Sequence, residues 1–154
     1  MNAAMMKRPQ STAPRLQRGV MMIEALLAIL IFSVGILAVV GMQAVAIKSV
    51  TDSKTRSDAS FLANELMAQM WTDAGNISSY AYTGSGTAPT RLTDWITTVQ
   101  LRLPGATTVP PIVTVTGATT SGATVQITMR WQLPEEASQG LPPHNFIIIA
   151  SVYI

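Results

Sequence analysis

Residues 18–47 read RGVMMIEALLAILIFSVGILAVVGMQAVAI, and this stretch decides how the chain is built. From position 20 onward it is almost continuously apolar, interrupted only by two glycines and three polar residues, Glu24, Ser33 and Gln43. An α-helix rises about 1.5 Å per residue, so residues 20–47 as a helix are about 42 Å long, whereas the hydrocarbon core of a bilayer is about 30 Å thick. Residues 20–47 are therefore predicted to form a transmembrane helix.

Residues 1–19 form a basic leader in front of this helix. They carry Lys7, Arg8, Arg15 and Arg18 and no acidic residue, while the rest of the chain holds six Lys and Arg against eight Asp and Glu. Positive charge beside a membrane-spanning segment marks its cytoplasmic end. The leader has no interleaved aromatic residues, so we expect no nucleic-acid partner. The prediction is a single-pass protein of the inner membrane, with its N-terminus in the cytoplasm and its C-terminal head in the periplasm.

The composition of the 154 residues agrees with one membrane span joined to one small polar domain. Hydrophobic residues make up 48% and charged residues 12%, which is too apolar for an ordinary soluble domain and too polar for a multispan protein. The chain has no cysteine. The head therefore has no disulfide to stabilise it, and thiol catalysis is excluded.

The helix is predicted to continue into the head. Residues 48–58 are polar, and apolar residues then recur at spacings of three and four, at Ala59, Leu62, Ala63, Leu66, Met67 and Met70. This spacing is typical of an amphipathic helix, and no proline occurs between Arg15 and Ala88. One helix over Val20–Trp71 is the simplest interpretation. The alternative is a break within 51–58.

The remainder of residues 48–154 is predicted to be a β-rich head. Residues 72–89 have the composition of a loop. Apolar and polar residues alternate along Ala123–Leu133, which is typical of a half-buried antiparallel strand, and Ile112–Thr116 is its expected hairpin partner. Phe146–Ile154 is too apolar for an exposed edge, so we expect a paired strand there. The fold class is α+β, with the long helix packed on a small antiparallel sheet.

Enzyme chemistry finds little support in the sequence. His144 is the only histidine and lies in a Pro-Pro-His-Asn turn, where a solvated loop residue is expected. Glu135 and Glu136 follow Pro134 and are interpreted as a turn between strands. We therefore expect no catalytic residue, no metal site and no cofactor.

The junction between leader and helix is the informative motif. The basic residues end at Gly19, and Glu24 lies five residues into the apolar run. An ionised carboxylate in hydrocarbon costs about 2.5 kcal/mol or more, so such a residue is usually functional. Glycine leaves the bond to Val20 open to a protease and permits an extended backbone. Cleavage there would place a new amine about one helical turn from Glu24, which the helix dipole also favours.

This arrangement resembles the type III signal of the type IV prepilin family. Members of that family are cut by a prepilin peptidase, N-methylated on the new terminus and assembled into filaments through the hydrophobic helix. The chain is further similar to PilV-type minor pilins at Ile31-Phe32-Ser33-Val34-Gly35-Ile36-Leu37, Gly41-Met42-Gln43-Ala44 and Arg56-Ser57-Asp58-Ala59-Ser60-Phe61-Leu62-Ala63. The resemblance implies a pilin-like fold.

The same resemblance implies roles for three residues: Gly19 as the cleavage residue, Val20 as the methylated terminus and Glu24 as the assembly carboxylate. The implied partners are the prepilin peptidase, other major and minor pilins, the inner membrane and the pilus assembly platform. The implied final location is the pilus at the cell surface. The family's major subunits often have a helix proline where Gly41 stands, and usually a C-terminal disulfide loop. Their absence favours a minor pilin.

Four alternatives compete with the minor-pilin hypothesis. An ordinary secretory signal needs a shorter apolar region ending in small residues, which this sequence lacks. A plain signal anchor explains the topology but not the glycine junction. A type II secretion pseudopilin shares the leader and the fold, and residues 41–63 favour the pilus over it. A membrane-anchored binding or adhesive module would need a cleft of convergent polar or aromatic groups, which the sequence does not indicate.

Overall fold

The structure, a computed structural model, describes the backbone of residues 17–153 and the side chains of residues 19–153. Most of the predicted leader therefore lies outside the described residues, as does Ile154. The main elements are helices and a small sheet, in the order α1 (Gln17–Thr72), α2 (Thr93–Arg102), β1 (Ile112–Thr119), β2 (Gly122–Trp131), α3 (Pro134–Ser138) and β3 (His144–Tyr153), with 3₁₀ helices at Ala74–Tyr80 and Thr90–Leu92. The predicted α+β class is confirmed.

Helix α1 covers the whole predicted range and extends it by a few residues at its N-terminal end. Residues 51–58 are helical, so the alternative of a break there is wrong. Their polar side chains are accommodated by bonds within the helix, since Ser53 Oγ donates to the carbonyl of Ser49 over 2.9 Å and Thr55 Oγ1 donates to that of Thr51 over 3.0 Å. The described part of the chain divides into two units, with the boundary between Ile47 and Lys48.

In the second unit, one face of α1 forms one side of the hydrophobic core. Six apolar residues of this face are at most 2% exposed, and they are those that the spacing of the sequence predicted: Ala59, Leu62, Ala63, Leu66, Met67 and Met70. They pack in one cluster with the inner face of β2, where Val125, Ile127 and Met129 are fully buried. Helix α2 joins this core through Trp95, whose Nε1 donates to the carbonyl oxygen of Leu62 over 2.9 Å.

The sheet has three antiparallel strands in the order β1-β2-β3. The predicted hairpin is confirmed, with Val113 opposite Ile127 in the β1–β2 pair. Strand β3 pairs with β2 along its whole length, from His144 opposite Trp131 to Tyr153 opposite Gly122. The alternating residues of β2 face the helix as expected, because successive side chains of a strand point to opposite faces.

The prediction for the last strand is wrong in one respect. β3 is paired, but among the described residues it lies at the edge of the sheet, with β2 as its one neighbour. Val152 is buried on its inner face, whereas Ile147, Ile149 and Tyr153 are 49, 61 and 80% exposed on the outer face. The sequence could not reveal this because a run of consecutive apolar residues carries no alternation from which to distinguish the two faces.

The loop predicted at 72–89 is more ordered than its composition indicates. It contains the first 3₁₀ helix, in which Ile77 and Tyr80 are buried. Asp73 organises this segment: its carboxylate accepts hydrogen bonds from Asn76 Nδ2 at 2.6 Å and Tyr80 Oη at 2.8 Å, and it pairs with Arg91. These bonds, led by that of Asn76, lower the pKa of Asp73. Burial raises the pKa of Tyr80.

His144 is exposed, as the sequence predicted, but it belongs to a strand and not to a loop. It is the first residue of β3, and its ring stacks on Trp131 with centroids 5.7 Å apart. Its Nε2 lies 3.0 Å from Oε1 of Glu136, which belongs to the short helix α3 rather than to a turn. The hydrogen bond to His144, followed by that from the Leu133 N–H, lowers the pKa of Glu136.

Candidate assembly site in the N-terminal helix

The three predicted site residues lie in the first turns of α1. Gly19 and Val20 both lie within α1, so the bond between them has helical rather than extended geometry. A peptidase would therefore have to unwind the start of α1. Glycine is a poor helix former, so it weakens the helix at this position relative to alanine.

Val20 and Glu24 are four residues apart and share one face of the helix, since a turn contains about 3.6 residues. Together with apolar neighbours they line a shallow groove on the helix surface, formed by Val20, Ile23, Glu24, Leu27, Ala28 and Ile31. Within residues 19–153, no hydrogen bond or ion pair engages the Glu24 side chain. The carboxylate thus lies on an apolar surface without a charge partner from that part of the chain.

The surroundings of this carboxylate are exposed apolar side chains. Every residue from 19 to 50 is exposed, and the large apolar side chains from Val20 to Ile47 are between 51 and 73% exposed. A soluble protein rarely leaves so large a continuous apolar surface in water. Residues 59–70 of the same helix bury their apolar face in the head, whereas no described part of the chain covers the apolar side chains of residues 20–47.

Length and hydropathy agree with this view. Helix α1 contains one segment long and apolar enough to cross a membrane, with a mean hydropathy of 2.8 over 18 residues. The segment lies near the N-terminus and none of it is buried inside the structure. These properties agree with membrane anchoring. The support is weak, because a signal sequence near the N-terminus has the same length and hydropathy.

Sequence reasoning gave little weight to a second polar residue of this segment, Gln43. Ser33 satisfies its own hydroxyl, because Oγ donates to the carbonyl of Ile29 over 2.7 Å. The Gln43 amide has no such partner within residues 19–153, and it shares a groove with Gly35 and Val39. The sequence feature that could have singled out Gln43 is its position as a polar residue within an apolar run.

The residues that the structure describes contain no group of three or more His, Cys, Asp or Glu side chains able to hold a metal ion. The Arg91–Asp73 ion pair and the His144–Glu136 hydrogen bond are contacts between neighbouring elements of the head. No family model, curated protein or solved structure matches this chain.

Proposed function

We propose that this chain is a minor pilin, a structural subunit that a prepilin peptidase matures after Gly19 and that then takes part in the assembly or initiation of a type IV pilus. One observation carries the proposal. Glu24 is an acid without a partner among residues 19–153, on an exposed apolar helix, five residues after a glycine that ends a basic leader. Membrane anchoring alone does not require this carboxylate, whereas in a packed bundle of such helices it can form an ion pair with a neighbouring subunit.

Cleavage after Gly19 would create the partner that Glu24 lacks. The free amine of Val20 would carry a positive charge at the positive end of the helix dipole, where a nearby carboxylate is stabilising. In a bundle, Glu24 of one subunit would pair with the Val20 amine of its neighbour. Each charge removes the desolvation cost of the other, and their contact fixes the axial offset between adjacent helices.

The two units of the chain suit the two stages of such a subunit. Residues 20–47 would lie in the inner membrane before assembly, oriented by the basic leader with the N-terminus in the cytoplasm. Residues 48–154 carry their own core and would fold in the periplasm. After assembly, the apolar helix would exchange lipid for the helices of other pilins, and the head would lie on the pilus at the cell surface.

The processing step is tested by mass spectrometry of the protein isolated from its own cells, together with a Glu24→Gln variant. We expect a mature chain that begins with a methylated Val20, in both the wild type and the variant. In Glu24→Gln we expect incorporation into sheared surface filaments to fall roughly tenfold or more, because the amine of a neighbouring subunit loses its counter-charge. Glu65→Gln is the matched control, since Glu65 is an exposed acid of the same helix outside the apolar segment.

Recovery of the exported chain with its first nineteen residues attached would contradict the proposal and leave a tethered domain. Equal incorporation of Glu24→Gln and Glu65→Gln would contradict the pairing of Glu24 with a terminal amine. A mature chain found in the cell envelope but never in surface filaments would support a type II secretion pseudopilin instead.

A further inference from the structure

Gln43 is a second residue of the apolar segment, after Glu24, whose polar side chain has no hydrogen-bond partner within residues 19–153. A carboxamide has two N–H donors and an acceptor oxygen, and none of them is bonded within residues 19–153. Lipid chains offer it no hydrogen-bond partner. Ser33, the other uncharged polar residue between Glu24 and Lys48, avoids the problem by its bond to the carbonyl of Ile29. The longer glutamine has no equivalent bond here.

The helix face around Gln43 carries a shallow, largely apolar groove. Gln43 lies at one end of a shallow groove whose other lining residues are Phe32, Gly35, Ile36, Val39 and Val40. Gly35 carries no side chain, and a Cβ placed on it would meet nothing within 4 Å. A neighbouring backbone can therefore approach this face closely, as small residues allow in membrane helix pairs.

We propose that two copies of this chain pair in the membrane through this face before assembly, with the two Gln43 amides bonded to each other. Copies inserted by the same basic leader have the same orientation, so they carry Gln43 at the same depth. A carboxamide is its own complement, because it both donates and accepts. A second copy thus supplies the required group at the required depth. The inference rests on the membrane placement in the proposed function, but not on cleavage or on Glu24.

The absence of cysteine makes the pairing directly measurable. In the full-length chain, Val39→Cys places a thiol on the Gln43 face, one turn before Gln43. Val45→Cys is the matched control, because position 45 lies about 200° around the helix from position 43. Both valines are exposed. Membranes containing each variant are treated with a short bismaleimide, and the cross-linked homodimer is quantified in the carbonate-resistant pellet.

We expect a homodimer from Val39→Cys and little from Val45→Cys. Adding Gln43→Leu to Val39→Cys should lower the cross-linked fraction roughly fivefold, because the interhelical hydrogen bond is lost. Adding Gln43→Asn, which keeps the amide, should restore part of it. Adding Glu65→Gln, which changes an exposed acid of the same helix outside the apolar segment, should leave the cross-linked fraction unchanged.

Three results would overturn the inference: equal cross-linking at positions 39 and 45, a yield that Gln43→Leu does not lower, or a cross-linked product that contains a different protein. Recovery of the chain outside the membrane pellet would overturn the inference together with the membrane placement. An uncut leader with an intact cross-link would overturn the proposed function while supporting the pairing. The two proposals therefore fail in distinguishable ways.

Discussion

Asp73 shows how much a single carboxylate decides in the head. It accepts from Asn76 and Tyr80 and pairs with Arg91, so it joins the end of α1 to the first 3₁₀ helix and to the segment that leads into α2. Arg91 also lies over the Tyr80 ring, 5.9 Å from its centroid. Because the bonded form is the anion, the pKa of Asp73 falls below its ordinary 3.8.

This shift has a definite consequence for stability against pH. A carboxyl whose pKa is lower in the folded chain stabilises the fold above the unfolded pKa, and the contribution disappears as the pH falls through the folded value. We therefore expect the unfolding temperature of the detergent-solubilised chain to decrease when the pH is lowered below about 4. The unfolding temperature of Asp73→Asn should already be lower than that of the wild type at pH 7, and it should decrease less on acidification.

Asp52→Asn is the matched control for this measurement, since Asp52 is an exposed acid of the helix with no side-chain bond to another described residue. It should follow the wild-type profile. If Asp73→Asn and Asp52→Asn have the same dependence on pH, the network around Asp73 does not stabilise the head as argued.

At the scale of elements, two glycines of the β1–β2 hairpin have different roles. Both have positive φ, Gly117 at 64° and Gly122 at 142°. A Cβ on Gly117 would meet nothing within 4 Å, whereas a Cβ on Gly122 would stand closer than van der Waals contact to the backbone oxygen of Val152 on β3. Gly117 lies within β1, where the register shifts between Thr116 and Thr119, and is needed there only for its left-handed backbone, while Gly122 also permits the close approach of the neighbouring strand.

We expect Gly117→Ala to lower the free energy of unfolding by about 1 kcal/mol, which is the cost of a left-handed backbone for alanine. Gly122→Ala should cost about 3 kcal/mol or more, because β3 must also shift. Denaturant titration followed by the fluorescence of the buried Trp95 and Trp131 measures both. Equal costs would show that β3 does not need the space at Gly122.

At the scale of the whole molecule, the two units meet water differently. Residues 20–47 expose every side chain, whereas residues 48–154 enclose a core built from α1, α2 and the sheet. We expect a chain that starts at Lys48 to be soluble without detergent and to keep its helix and strand content by circular dichroism. The full-length chain should need detergent or lipid, because its apolar helix has no cover of its own.

Size-exclusion chromatography and circular dichroism of both forms test this expectation. A 48–154 fragment that aggregates or unfolds would show that the head depends on the first unit. The exposed Ile147 and Ile149 of β3 are the residues to examine in that case, since an apolar edge strand can pair with another chain. A lysine at position 149 should then restore solubility.

The sequence by itself determined the elements whose residues repeat with a clear period. The apolar run at 20–47, the spacing of three and four from Ala59 to Met70 and the alternation along β2 each predicted an element that the structure contains. Periodicity is a local property, so it can be recognised without knowing the fold. The junction at Gly19 and Glu24 was also visible from the sequence, because an acid in an apolar run is a local anomaly; its role stays a prediction.

Only the tertiary structure decided which partners distant residues have. It placed β3 at the edge, gave Asp73 its partner Arg91 and brought His144 onto Trp131 and Glu136. None of these contacts has a period, because each depends on how separate elements pack. Burial along α1 likewise depends on packing between elements. The helix is continuous, but its apolar side chains are buried only at residues 59–70, where they belong to the core of the head.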